Sequence, residues 1–227
     1  MSDFRFLKIE NLIIELEDYT FKQLHIHHTW KPTHRNFTGD NYIAMQQAMK
    51  NYHTISLGWS DIGQHLTLFP DGIWLTGRPF DIIPASIKGW NIGALAVEMI
   101  GNFDIPETNI YNELGYDKLE GRQKEEILKL MRYFIDKYGE SSIIFHRDNP
   151  DAGKTCPGSS LNKSIMIKEA KELDYNKLHW GEDYYNNLKR KGIILDEKRY
   201  DDYLTRAEGM ALVDKVTNWV IENFISK

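Results

Sequence analysis

The sequence predicts a mixed α/β fold, a central β-sheet flanked by helices, and three observations predict it. Short apolar runs rich in β-formers recur through the first half, at Gln23–His28 and at residues 64–69 and 94–100. A tight-turn signal, Pro70-Asp71-Gly72, joins the second of these to a further apolar run at 73–76. Interspersed with them are stretches whose apolar residues return every three or four positions, the period of a helix with one buried face.

Taken in order, residues 4–17 alternate in part, and Leu12, Ile13, Ile14 and Leu16 supply bulk that suits a strand. Gln23–His28 reads as a buried strand with His25 and His27 on one face, and Lys31-Pro32 breaks it. Residues 41–53 carry Tyr42, Met45, Met49 and Tyr52 at helical spacing after Thr38-Gly39-Asp40, which predicts the first helix. Residues 64–76 predict a hairpin, because Pro70 fixes φ and Gly72 supplies the left-handed position. Residues 94–100 form another apolar strand ending at Gly101-Asn102. Residues 123–138 place Ile127, Leu128, Leu130, Met131, Phe134 and Ile135 on one face with charges between, and Gly139 stops that helix. Residues 142–145 are a last short strand that delivers His146.

From residue 172 the chain becomes short-patterned, charged and aromatic, so the sequence predicts two domains, 1–171 and a small helical module over 172–227. Within the module, Thr205 and Glu208 have the spacing of a capping box opening the last helix.

Composition narrows the function. With 227 residues the chain can bury one full core and carry a small appendage. A net charge of -5, with no stretch dense in Lys and Arg, argues against nucleic acid as a partner. One cysteine cannot form an intramolecular disulfide, which removes the main sign of a bridge-stapled secreted fold. Asp3, Glu10, Glu15 and Asp18 interrupt the N-terminus, so no signal peptide is predicted, and no membrane span either. The expectation is synthesis in the cytoplasm, followed by holin-type export or release on lysis.

Chemistry concentrates at three residues. His27 sits on a strand, His146 ends another, and Cys156 follows ten residues later in Lys154-Thr155-Cys156-Pro157-Gly158. A thiolate and two imidazoles from distant points can take three corners of a zinc tetrahedron and leave the fourth for a water to be activated. Singly, each has a blander explanation: a lone strand histidine is usually a satisfied core residue, and a lone cysteine an inert buried thiol. His146 and Cys156 do flank one polar loop, which could aim both at one point.

Seven motifs occur in order: Ile26-His27-His28-Thr29; Gly63-Gln64-His65 leading into Pro70-Asp71-Gly72; Gly77-Arg78-Pro79; Lys88-Gly89-Trp90-Asn91; Val97-Glu98-Met99-Ile100-Gly101-Asn102-Phe103-Asp104; Phe145-His146-Arg147-Asp148; and Lys154-Thr155-Cys156-Pro157-Gly158. Over roughly residues 20–165 the chain thereby resembles the zinc-dependent N-acetylmuramoyl-L-alanine amidases of the type 2 family, which share a fold with peptidoglycan recognition proteins and phage lysozyme-type amidases. The resemblance implies one Zn²⁺ held by His27, His146 and Cys156, with His28 turned to the other face, and hydrolysis of the amide between N-acetylmuramic acid and L-alanine in peptidoglycan.

It also implies that Lys154 stabilises the oxyanion; a loop lysine is otherwise simply solvent-exposed. Many relatives have a tyrosine where Gln64 stands, and an amide cannot take a proton. Glu98, a carboxylate in an apolar strand, matches the glutamate some members use as base, with a structural salt bridge as the competing account. Ser86 stands where several relatives have a substrate-touching histidine. Gln64, His65, Arg78, Trp90 and Asn91 are expected to line the substrate groove, Arg147 and Asp148 to support a ligating histidine, and Trp30 to pack. The C-terminal segment resembles a single S-layer-homology-like repeat, with His179-Trp180, Gly192-Ile193-Ile194 and Thr205-Arg206-Ala207-Glu208 as its landmarks. It implies a secondary wall polymer as a second partner; a helical pair docked on the amidase domain, or used for homodimerisation, reads equally well. An endolysin- or autolysin-like bacteriolytic enzyme is the first reading of the whole, and a weakly active or inactive peptidoglycan-binding protein of the same fold the alternative.

Overall fold

A computed structural model of the chain describes residues 4–106, 115–173, 191–192 and 206–220. The chain divides into two compact units, Met1–Leu173 and Asp174–Lys227.

In the first unit the strands are β1 (Phe6–Leu7), β2 (Gln23–His28), β3 (Leu66–Leu68), β4 (Trp74–Thr76), β5 (Ala94–Met99) and β6 (Ile143–Phe145). They form one sheet in the order β1-β4-β3-β5-β2-β6. β1, β4 and β3 pair antiparallel, whereas β3, β5, β2 and β6 run parallel, which makes the sheet mixed. The parallel pairing of β2 with β5 sets His27 opposite Glu98, and that of β2 with β6 sets Ile26 opposite Phe145, one residue before His146. Three chemistry-bearing residues therefore share the C-terminal end of three adjacent parallel strands.

Because side chains alternate along a strand, one face of the sheet is hydrocarbon. Leu24, Ile26, Leu66, Leu68, Leu95, Val97, Met99, Ile143 and Phe145 are fully buried there. Three helices cover that face: α1 (Ile9–Leu16), α3 (Gly121–Tyr138) and α4 (Lys163–Glu172). α3 presents Ile127, Leu130, Met131 and Phe134 to this core and ends at Gly139, whose φ of 82° continues no helix. Its buried Gln123 donates to the carbonyls of Leu68 and Ile100, tying the helix to the ends of β3 and β5. Over the β3–β4 part of the opposite face lies α2 (Tyr42–Asn51), which buries Tyr42, Met45 and Met49 with Ile62, Phe69, Leu75 and Ile100. Over His25 on the rest of that face lies the loop carrying Ser86, and the ends of β2 and β5 border a cavity.

Residues 9–16 are helical, which corrects the strand expected over 4–17; only Phe6–Leu7 pairs, with β4. Ile9, Leu12 and Leu16 are buried at helical spacing while Ile14 is 69% exposed, so the apolar stripe that docks on the sheet outweighs the β preference of the isoleucines. α4, with Asn162 capping it by accepting from the Ile165 amide, has no counterpart in the sequence reading. In the second unit the described helix is α5 (Arg206–Val220). Thr205, His179-Trp180 and Ile193-Ile194 lie outside the described residues, and with them the expected cap and most of the S-layer-homology-like landmarks. Among the described residues no helix is long and apolar enough to cross a membrane.

Candidate metal centre

β2 and β6 end at a cavity of about 1220 Å³ whose wall includes His27, Gln64, Glu98, His146, Lys154 and Cys156. His27 reaches it because it occupies the open-face position of β2, between Ile26 and His28, which face the hydrocarbon core and Phe103. His146 follows β6 directly, at the start of a single helical turn, His146–Asp148. Cys156 comes from the loop beyond. Arg147 clamps that loop by donating to the carbonyls of Thr155, Gly158 and Leu161, and the Arg147 amide donates to the Cys156 carbonyl. Asp104 holds it from the other side, accepting from the Thr155 hydroxyl and the Ser159 amide. Gly158, at φ 128°, lies so near Phe103 that a Cβ would come 2.5 Å from that residue's own Cβ, so only glycine lets the loop close.

The donor atoms converge. His27 Nδ1 lies 3.1 Å from His146 Nδ1 and 3.5 Å from Cys156 Sγ, and one donor from each residue falls within 4.8 Å of the others. A tetrahedral zinc with Zn–N near ~2.05 Å and Zn–S near ~2.3 Å would hold its donors about 3.3 Å and about 3.6 Å apart. The residues thus fit a zinc ion in chemistry, and the two separations from His27 fit it in spacing. No further Asp, Glu, His or Cys among the described residues joins the cluster.

Electrostatics favour the forms a metal requires of its imidazoles. Burial, then the neighbouring His146, hold His27 neutral well below the ordinary histidine range, and burial with nearby Lys154 lowers His146 to about 4. The Cys156 thiol is pushed up, by burial first and by Glu98 second, so an ion binding there must displace its proton. Burial raises Glu98 to about 8 against the pull of Lys154.

The structure sorts the other expected residues into two groups. Gln64, Glu98 and Lys154 line the cavity with His27, His146 and Cys156, and Trp30, expected to pack, stands on its wall as well. His65, Arg78, Trp90 and Asn91, expected in the groove, are not among the residues that line it. His65 is fully buried between Phe21 and Phe80, with its ring nitrogens at the Ala96 amide and the Ile82 carbonyl. Arg78 donates to the carbonyls of Asp61, Ile62 and Ile83. Asn91 accepts from the amides of Ser86 and Ile87, and Trp90 borders a separate shallow pocket with Gln23, Gly89, Ile92 and Ile144. In each of the first three cases backbone groups that burial would strand take up the polar side chain. Arg147 and Asp148 likewise brace backbone: Asp148 accepts from the Phe145 amide and from Lys163.

Tyr52 and Trp59 escape the sequence reading as cavity residues, and Ser86, noted there only as standing in place of a histidine, makes contacts that the sequence does not reveal. Tyr52 and Trp59 stand on the wall, with Trp59 stacked on His53 at 4.7 Å; they belong to a turn between α2 and β3 that carries no ligand-like spacing. Ser86 lies 2.6 Å from His27 Nε2 and 3.0 Å from His25 Nδ1. A lone serine in a loop gives no such signal.

Residues 17–159 match the family profile described as N-acetylmuramoyl-L-alanine amidase. Among related sequences, the chain is 26% identical over 139 residues to the endolysin of Enterobacteria phage K11, covering 60% of this chain and 84% of the endolysin. It is 32% identical over 142 residues to peptidoglycan-recognition protein LB of Drosophila melanogaster, covering 62% of this chain and 56% of that protein. Peptidoglycan-recognition protein SC1a of the same organism is 26% identical over 123 residues, 54% of this chain and 60% of that protein. The chain thus spans less than two thirds of these recognition proteins. Among solved structures, the amidase LysC from Clostridium intestinale URNW superposes with a TM-score of 0.50 at 24% identity, over 67% of this chain and 86% of that chain. Bumblebee PGRP-SA gives 0.51 at 24%, over 64% and 80%. These likenesses establish the mixed α/β fold of the first unit.

Proposed function

The chain belongs to the N-acetylmuramoyl-L-alanine amidase family, and from that premise we propose that it is a zinc-dependent peptidoglycan amidase that cleaves the bond between N-acetylmuramic acid and L-alanine. One observation carries the reading: donor atoms of two imidazoles and a thiol lie within 4.8 Å of one another in a cavity that also holds Glu98 and Lys154.

His27, His146 and Cys156 would hold the ion, which when bound would supply Lewis acidity toward the scissile carbonyl and toward a water. Glu98 is placed to move the proton. Burial alone raises its carboxyl to about 8, which keeps it largely protonated at neutral pH; the charge of a bound cation would favour the carboxylate, which could accept a proton from the attacking water and return it to the departing L-alanine nitrogen. Lys154 brings a positive charge to the same cavity, where it would offset the negative charge that develops on the carbonyl oxygen. Gln64 cannot exchange protons. Its Nε2 donates to Thr67, whose hydroxyl donates to Gln46, and its buried Oε1 has no partner, so it would serve as an acceptor for a substrate or water donor.

Mass analysis of peptidoglycan digested with the full chain tests the proposal. Newly freed L-alanine amino termini are the expected product; new reducing ends or cleavage within the stem peptide would refute it. The amide at Gln64 favours a second reading, a peptidoglycan-binding protein with slow turnover, and its signature would be cosedimentation with walls and no released termini. For residues 174–227 we propose wall targeting through a secondary wall polymer, with homodimerisation as the competing role, and for the enzyme as a whole an endolysin- or autolysin-like action on the wall after export or lysis.

A further inference from the structure

His27 can offer a lone pair to a metal at Nδ1 only if its proton sits on Nε2, and the chain of contacts behind it decides that question. Nε2 of His27 lies 2.6 Å from Ser86 Oγ, Ser86 Oγ lies 3.0 Å from His25 Nδ1, and His25 Nε2 lies 2.9 Å from Gln23 Oε1. The contacts run in one line through a fully buried imidazole and end at a carbonyl oxygen. That oxygen can only accept, so His25 carries its proton on Nε2 and leaves Nδ1 bare. The Ser86 hydroxyl must then donate to His25 Nδ1. Its own lone pair is free to accept from His27 Nε2–H, and the remaining lone pair of His27 points at Cys156 and His146.

We propose that Ser86, backed by His25 and Gln23, is a positioning residue that locks His27 in its metal-binding tautomer. The proposal rests on the metal-site reading given above. Ligating histidines generally need their second nitrogen held by a hydrogen bond, and losing that partner typically weakens metal affinity about 10–100-fold. In this chain the partner is a neutral hydroxyl, itself oriented by a second histidine two residues from the ligand on the same strand face. Neither Ser86 nor His25 reaches the metal donors, so both act through His27. The backbone supports the arrangement: Asn91 accepts from the Ser86 and Ile87 amides, which fixes the loop that carries the hydroxyl.

The test uses the full chain, labelled with ¹⁵N and stripped of metal, because long-range ¹H–¹⁵N spectra of histidine rings read tautomers without zinc or turnover. In the wild type, His27 is expected to show a protonated Nε2 and a bare Nδ1. Ser86→Ala should mix the two tautomers and, in competition with a chromophoric chelator, weaken zinc binding by about 10–100-fold, while Ser86→Thr keeps the hydroxyl and restores both readouts. His25→Leu should weaken binding less than Ser86→Ala and add nothing in the Ser86→Ala background, as members of one chain of contacts do. A proton on Nδ1 of His27 in the wild type would overturn the proposal. So would unchanged zinc affinity in Ser86→Ala, or a Ser86→Thr variant as weak as the alanine variant, which would make the effect one of packing. A wild type that binds no zinc yet shows the expected tautomer would sink the metal reading and leave the hydrogen-bonded chain standing.

Discussion

The two faces of one sheet are built from the same six strands and do opposite things. On the face under α1, α3 and α4, every inward residue of β2, β5 and β3 but His28 is apolar and buried, so the free energy there is that of hydrocarbon removed from water. On the other face the alternate positions are Gln23, His25, His27, Ala94, Ala96, Glu98 and Thr67, all polar except the two alanines. α2 covers the β3–β4 part of that face, the loop carrying Ser86 covers His25, and the cavity takes the end that holds His27 and Glu98. A polar residue placed there need not be stranded: Thr67 donates to Gln46 and accepts from Gln64, and His25 is held by Ser86 and Gln23. The contrast teaches that one face carries stability and the other carries chemistry, and that a period of two along each strand keeps them apart.

Substitutions can break that division. The largest effect is expected at Glu98: Glu98→Gln should lower turnover by roughly two or more orders of magnitude with zinc still bound and the melting temperature little changed, as followed by muropeptide release and metal analysis. Near wild-type rates would remove Glu98 from the proton path. On the hydrocarbon face, Ile26→Ala should cost about 2–5 kcal/mol in denaturant unfolding, while the folded fraction keeps its zinc; a loss of metal in that fraction would mean the faces are coupled through β2. Thr67→Val sharpens the comparison, since it keeps volume but strands Gln46 Oε1 and Gln64 Nε2, and a loss of about 1–3 kcal/mol is expected. The same burial sets the response to acid. His25, His28 and His65 are held neutral down to about 4 by burial, while their unfolded counterparts protonate near the ordinary value of 6.5. The unfolded chain therefore binds more protons between those limits, and stability present above pH 6.5 should decline as pH falls toward 4. Replacing His65 by Phe should flatten that decline in equilibrium unfolding of the metal-free chain.

Much of this was legible in the sequence because the strongest signals were local. The His25/His27 alternation, the Pro70-Asp71-Gly72 turn and the stripe of α3 each follow from a period or a turn residue, and the ordered motifs picked out the three side chains whose donor atoms converge. What was not legible depends on who satisfies whom in three dimensions. Ile13 and Ile14 favour a strand locally, yet docking of Ile9, Leu12 and Leu16 makes a helix. His65, Arg78 and Asn91 have the functional groups of a substrate groove, but each is taken up by buried backbone amides or carbonyls that no periodicity reveals. Ser86 was read as a lost histidine, and its contact with two histidines appears only when β2 and the 84–91 loop are brought together.

Metal analysis of the purified full chain beside its Cys156→Ala variant bears most directly on the central claim. The account predicts about one equivalent of zinc in the wild type and loss of both zinc and wall hydrolysis in the variant. A Cys156→Ala protein that kept its zinc, or a wild type that released L-alanine termini with no metal bound, would contradict it.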